Sequence, residues 1–163
     1  MKQYITIVLL FSCFTVFAQT EEKAHIYDPA ANAASDIKHA VAIALKEHKH
    51  VFIQVGGNWC VWCRRFHAQV LGDTTLSRLM KDNYVLVHVN YSPENKNEKV
   101  LASLGYPQRF GYPVFVILDS EGKRVHTQNS GYLEEGQGYS KKKVEDFLKQ
   151  WSPAALDPKT YAK

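Results

Sequence analysis

Val51-Phe52-Ile53-Gln54-Val55-Gly56-Gly57-Asn58-Trp59-Cys60-Val61-Trp62-Cys63-Arg64-Arg65-Phe66-His67 is the stretch whose reading decides the fold. Residues 51–55 are short, largely β-branched and apolar, which describes a buried strand. Gly56-Gly57-Asn58 breaks it. From Trp59 the pattern turns helical, with Trp62, Phe66 and Val70 falling four apart. A strand thus feeds through glycines into a helix whose first turn holds two cysteines.

Elements of both kinds continue on either side. Upstream, Ser35-Asp36 offers a helix cap, and Ile37, Val41, Ala44 and Leu45 form one stripe, predicting a helix over about 36–48. Residues 19–34 have no clear period and read as a lead-in arm. Downstream, Gly72-Asp73 ends or kinks the cysteine-bearing helix, and another is expected at about 75–82. Residues 84–90 read as a strand, and Pro93 to Gly105 as a helix ended by glycine. Tyr112 to Leu118 is a strand opened by proline, 119–123 a turn, and 124–129 a returning strand. Lys141 to Trp151 carries Val144, Phe147, Leu148 and Trp151 on one helical face, and Pro153 and Pro158 mark a loose tail. This order predicts an α/β fold: a central mixed four-stranded sheet flanked by helices, with a fifth short strand as an option. The domain is expected at 35–152 and the tail at 153–163.

The chain has 163 residues, enough for one domain with a real core. Its 45% apolar and 22% charged content excludes a disordered or fibrous protein. Lys and Arg number 20 against 16 acids, a net +4 at pH 7, but the basic residues are scattered among acids, so no nucleic acid partner is expected. The three cysteines, Cys13, Cys60 and Cys63, are an odd number that an exported protein must explain. Residues 1–18 explain it. Lys2 precedes the apolar run Ile5 to Phe17, which ends at Ala18 before a polar switch, the pattern of a secretory signal peptide cleaved after Ala18. The run is short for a membrane anchor. A lipoprotein signal at Cys13 is disfavoured by bulky Phe11 and by the apolar residues after the cysteine. Cleavage leaves Cys60 and Cys63 as the cysteines of a periplasmic or secreted chain.

The first turn of a helix has unpaired N–H groups and a positive dipole end, both of which stabilise a thiolate. Spacing i, i+3 places both sulfurs on one face, within reach of a disulfide. Cys60, nearer the helix start, is the expected exposed nucleophile, and Cys63, one turn deeper, the resolving thiol.

With these features the sequence resembles the thioredoxin superfamily. Trp59-Cys60-Val61-Trp62-Cys63 after a strand is similar to its Trp-Cys-x-x-Cys motif, and Tyr112-Pro113-Val114 to its cis-proline site. The resemblance covers about 36–151. It implies thiol–disulfide exchange on disulfide-containing protein substrates, with no cofactor or metal. It also implies a groove beside the cysteines, to which Trp59, Val61, Trp62, Tyr112 and Pro113 are assigned. Electrons pass to or from a thiol–disulfide partner, in a bacterial-type envelope a membrane-embedded donor. A monomer is expected. Two departures stand out. Gln54 occupies the position where the family often has a buried acid, and an amide is no base. His67 is either its substitute or a helix-surface histidine. The dipeptide Val61-Trp62 is neither Gly-Pro nor Pro-His, which favours a reductant or general exchange catalyst over a strong oxidant.

Competing readings are weaker. Zinc needs four ligands, and neither a second cysteine pair nor the histidines His39, His48 and His50, read as a solvated helix face and end, supply them. Covalent haem needs a histidine where Arg64 stands. A structural disulfide in a binding or scaffold module is the remaining alternative, favoured by Gln54. Trp59 is expected to shield the sulfurs. Trp62 either lines the substrate surface or joins the Phe66 stripe. Tyr106, Phe110 and Tyr112 form either an apolar rim or a cover over the helix–strand junction.

Overall fold

The computed structural model describes residues 25–162, in which the decisive strand runs over His50–Gly56 (β1) and is buried throughout. The expected signal peptide, Cys13 and residues 19–24 of the arm lie outside the described residues. Side chains alternate across a strand. Val51, Ile53 and Val55 therefore enter one core, and Phe52 enters another. Gln54 shares the Phe52 face.

β1 pairs in parallel with Tyr84–Asn90 (β2) and antiparallel with Val114–Leu118 (β3). Arg124–Asn129 (β4) returns antiparallel on β3, and the sheet order is β2-β1-β3-β4. Ala33–Glu47 (α1) and Glu98–Ser103 (α4) cover the aliphatic face through Ala40, Ala44 and Leu101. Val61–Gly72 (α2), Thr74–Asn83 (α3) and Lys141–Gln150 (α5) cover the other. There the Phe52 ring meets Phe66, Tyr84, Phe115 and Phe147 at centroid distances between 5.2 and 6.1 Å. Burying each such ring contributes about 1.5–3 kcal/mol, which makes this aromatic cluster the floor on which α2 rests.

The four-stranded mixed sheet flanked by helices is as expected. Several boundaries moved, each for a local reason. α1 begins at Ala33 because Asn32 caps it, its side chain accepting the Ser35 N–H at 3.1 Å. α4 is shorter than the expected helix from Pro93. Asn90 donates to the Asn95 carbonyl (2.9 Å), Asn97 donates to the Asn90 carbonyl (2.8 Å), and Asn97 is left-handed at φ 50°, so side chains take the place of a first helical turn. His50 is a buried strand residue, contrary to the solvated reading, with Nδ1 2.9 Å from the Trp151 carbonyl. The optional fifth strand does not join the sheet: Glu134–Glu135 (β5) and Gly138–Tyr139 (β6) make a separate two-stranded hairpin. After α5, Pro153–Leu156 (α6) folds as one turn of helix capped by Ser152.

Candidate active site at the start of α2

The end of β1 is pulled close to α2 by two glycines. A Cβ on Gly56 would lie 2.4 Å from Cys63 Sγ, and one on Gly57 2.4 Å from Trp59 Nε1. Cys60 then caps α2 in extended conformation, and its Sγ accepts the Cys63 N–H at 3.1 Å. The two cysteines are joined in a disulfide with Cα atoms 5.3 Å apart. A first-turn donor of α2, the Cys63 N–H, thus faces the sulfur of Cys60, an electrostatic setting that favours a thiolate there.

Cys60 is less open than expected, at 4% exposure, and Cys63 is fully buried. The reason is a third apolar cluster in which Ile26, Tyr27, Trp62 and Tyr112 pack around the pair. Trp59 is 57% exposed; its Nε1 donates to the Tyr91 carbonyl at 2.8 Å and its ring meets Tyr112 edge-on at 5.4 Å. Tyr112 in turn stacks on Tyr91, and the Tyr112–Pro113 peptide is cis. Burial, then the neighbouring Tyr91, holds the Tyr112 phenol above its ordinary pKa. Val61 is exposed at the helix start. Trp62 joins the Phe66 side, its ring edge-on to Tyr139 at 5.6 Å with the Arg65 guanidinium over it. Tyr106 and Phe110 stay exposed, and Arg109 lies over the Phe110 ring.

Sequence reasoning missed Tyr27 and Asn58. The Asn58 side chain accepts from the backbone N–H groups of Ile26 and Tyr27, each at 3.0 Å, and donates to the Tyr27 carbonyl at 2.7 Å. One amide thereby fastens the arm to the loop that precedes Cys60. Tyr27 is 1% exposed, and Gln54 Nε2 donates to its hydroxyl at 2.7 Å and to the Cys63 carbonyl at 3.4 Å. The one signal in the sequence was Ile26-Tyr27, a large apolar pair in an otherwise small and polar arm.

Residues 32–120 match the model of a family described as thioredoxin-like. The chain belongs to that family. Among relatives of this thioredoxin-like chain, the disulfide bond reductase DsbH of Chlamydia pneumoniae is 26% identical over 110 residues, covering 64% of this chain and 65% of that protein. The thiol:disulfide interchange protein DsbD of Pectobacterium atrosepticum is 29% identical over 109 residues, covering 66% of this chain but only 18% of the relative. The chain thus spans less than two thirds of the length of these relatives. A solved structure, titled a disulphide isomerase from Xylella fastidiosa, superposes with a TM-score of 0.69 at 26% identity over 78% of this chain and 96% of that one.

In this thioredoxin-like chain His67 does not join the sulfur cluster; its ring meets His88 of β2 at 5.8 Å. Burial lowers the His67 pKa, and burial followed by the nearby His67 pulls His88 down to about 4. A largely apolar cavity of about 150 Å³ between α2 and α3 is lined by Gln54, Phe66, His67 and Met80 but by neither cysteine. Among the described residues no group of three or more His, Cys, Asp or Glu side chains is arranged to hold a metal ion.

Proposed function

We propose that the protein is an exported thiol–disulfide oxidoreductase working on protein disulfides through Cys60 and Cys63. The observation that carries this reading is Cys60 at the cap of α2, disulfide-bonded to Cys63 one turn deeper. In the reducing direction the Cys60 thiolate attacks a substrate disulfide, forming a mixed disulfide and expelling one substrate thiolate. Cys63 then attacks the Cys60 sulfur, releasing the second substrate thiolate and closing Cys60–Cys63. Two electrons pass to the substrate, and a dithiol protein, in an envelope a membrane-embedded one, restores them. Trp59, Val61, Trp62, Tyr112 and Pro113 are assigned to the substrate groove, an assignment supported by the packing of Trp62 and Tyr112 against the cysteine pair. Export rests on the sequence of residues 1–18. The assay is turbidimetric reduction of a disulfide-linked protein with a dithiol donor. Activity that requires Cys60 supports the reading, and activity surviving Cys60→Ser sinks it.

The 4% exposure of Cys60 favours a second reading, a structural disulfide in a redox-inactive binding module. That reading predicts a bridge the glutathione pool cannot reduce.

A further inference from the structure

Cys63 poses a chemical problem. To resolve a mixed disulfide it must act as a thiolate, yet it is fully buried, and burial in apolar surroundings disfavours that charge. Gln54, the β1 side chain that bonds the Cys63 carbonyl, cannot accept its proton. The buried hydroxyl beside the sulfur belongs to Tyr27. Cys63 Sγ and Tyr27 Oη approach the same vacant position on Gly56, 2.4 and 2.6 Å from where a Cβ would stand. The gap between sulfur and oxygen is therefore no longer than those two distances together.

The hydrogen bonds define which way the hydroxyl works. Gln54 must turn its NH₂ toward the Cys63 carbonyl, because two oxygens there would repel. The same NH₂ donates to Tyr27 Oη, so that oxygen acts as acceptor and its own proton is left to donate elsewhere. Position is secured from behind, since Asn58 holds the Tyr27 backbone on both sides. Gln54 of β1 bonds the hydroxyl, Tyr139 of β6 lies near enough to act on it electrostatically, and the Tyr27 ring meets the His88 ring of β2 in a T-shaped contact at 5.4 Å. His88 and Tyr139 are both held neutral by burial at physiological pH, so no facing charge does this work in its place.

We propose that Tyr27 is a positioning residue for Cys63, its hydroxyl donating a hydrogen bond to the Cys63 sulfur once the disulfide opens and so stabilising the resolving thiolate. The inference rests on the oxidoreductase reading and deepens it. Proton and electron balance are unchanged by Tyr27, which keeps its proton. The Cys63 proton passes through solvent to the substrate thiolate expelled in the first attack. Cys63 then forms its bond to Cys60 as the Cys60–substrate bond breaks.

The test is single-turnover reaction of the reduced protein with dithiobis(nitrobenzoate), which releases one coloured thiolate on Cys60 attack and a second on resolution by Cys63. Tyr27→Phe removes the hydroxyl and keeps the ring. The second release is expected to slow by about tenfold or more at neutral pH, its pH profile moving up by about one unit. The first release is expected to stay within about twofold, because a pKa shift confined to Cys63 leaves the attacking thiolate untouched. A second release with unchanged rate and pH profile overturns the proposal, and so does equal slowing of both releases with a lowered melting temperature. Absence of the first release in the wild type would instead fail the oxidoreductase reading, and the inference with it. A second measurement does not depend on folding of that variant: ultraviolet titration of the lone thiolate in Cys60→Ser, with Tyr27 in place. Titration within about a unit of the ordinary thiol value, about 8.5, supports the proposal, and a value above about 10, as burial alone dictates, overturns it.

Discussion

Replacing Gly56 by alanine puts a methyl group between the Cys63 sulfur and the Tyr27 hydroxyl. The new carbon would lie 2.4 Å from Cys63 Sγ, 2.6 Å from Tyr27 Oη and 3.1 Å from Tyr27 Cζ. Ordinary contact lies at about 3.5–4.0 Å, so sulfur and hydroxyl must each retreat by about 1 Å. Tyr27 has little freedom to do so, being buried, held at its backbone by Asn58 and at its hydroxyl by Gln54. Overpacking of this kind costs about 1–3 kcal/mol. Alanine returns about 0.5–1 kcal/mol of that through its smaller loss of backbone entropy in a strand. The net expectation is a loss of about 1–2 kcal/mol, with the melting temperature falling by about 2–4 °C for each kcal/mol. The two redox forms should not suffer equally. In the disulfide, Cys63 Sγ is bonded to Cys60 and cannot swing away, whereas the free thiol can turn. The oxidised form is therefore destabilised more, and the couple becomes easier to reduce by about 30 mV for every 1.4 kcal/mol of difference. Urea unfolding of both forms, with a redox titration, measures both effects. A Gly56→Ala protein with wild-type midpoint and potential would refute the packing of Cys63 against Tyr27.

Other perturbations probe the surroundings of the site. His88 is held at a pKa of about 4 when folded, below its unfolded value of 6.5, so the folded state binds fewer protons between those values. Its stabilisation is complete above pH 6.5 and is lost as pH falls toward 4, a slope worth at most about 3 kcal/mol. Urea melts of His88→Gln should show a flatter acid limb, and a limb as steep as the wild type's would contradict a neutral, partly buried imidazole. Asn58→Ala removes the hydrogen bonds to Ile26 and Tyr27. It should cost about 2–3 kcal/mol, and hydrogen exchange at those two amides should accelerate. Unchanged protection would show that the arm is held by Tyr27 burial alone.

The parts of the fold legible in the sequence were those with a local signature. A short apolar, β-branched run marked β1, the four-residue spacing of Trp62, Phe66 and Val70 marked α2, and the turn at 119–123 disclosed the antiparallel return of β4. Cysteine spacing at a helix start carried the chemistry. What stayed hidden was held by side chains bonding to distant backbone. Asn58 reaches residues 31 and 32 positions away, and no local pattern announces such a bond. The asparagines at 90, 95 and 97 replaced the helical turn expected near Pro93 through local side-chain to backbone bonds that no hydrophobic period records. The closure of Cys60 was likewise illegible, because it depends on Ile26 and Tyr27 folding back from an arm without periodicity.

The central claim is that Cys60 and Cys63 form a working exchange couple. Its most direct test is the equilibrium potential of the purified protein, followed by thiol alkylation in dithiol and glutathione buffers. A working couple is expected between about −180 and −270 mV, and a potential below about −300 mV would contradict it and mark the disulfide as structural.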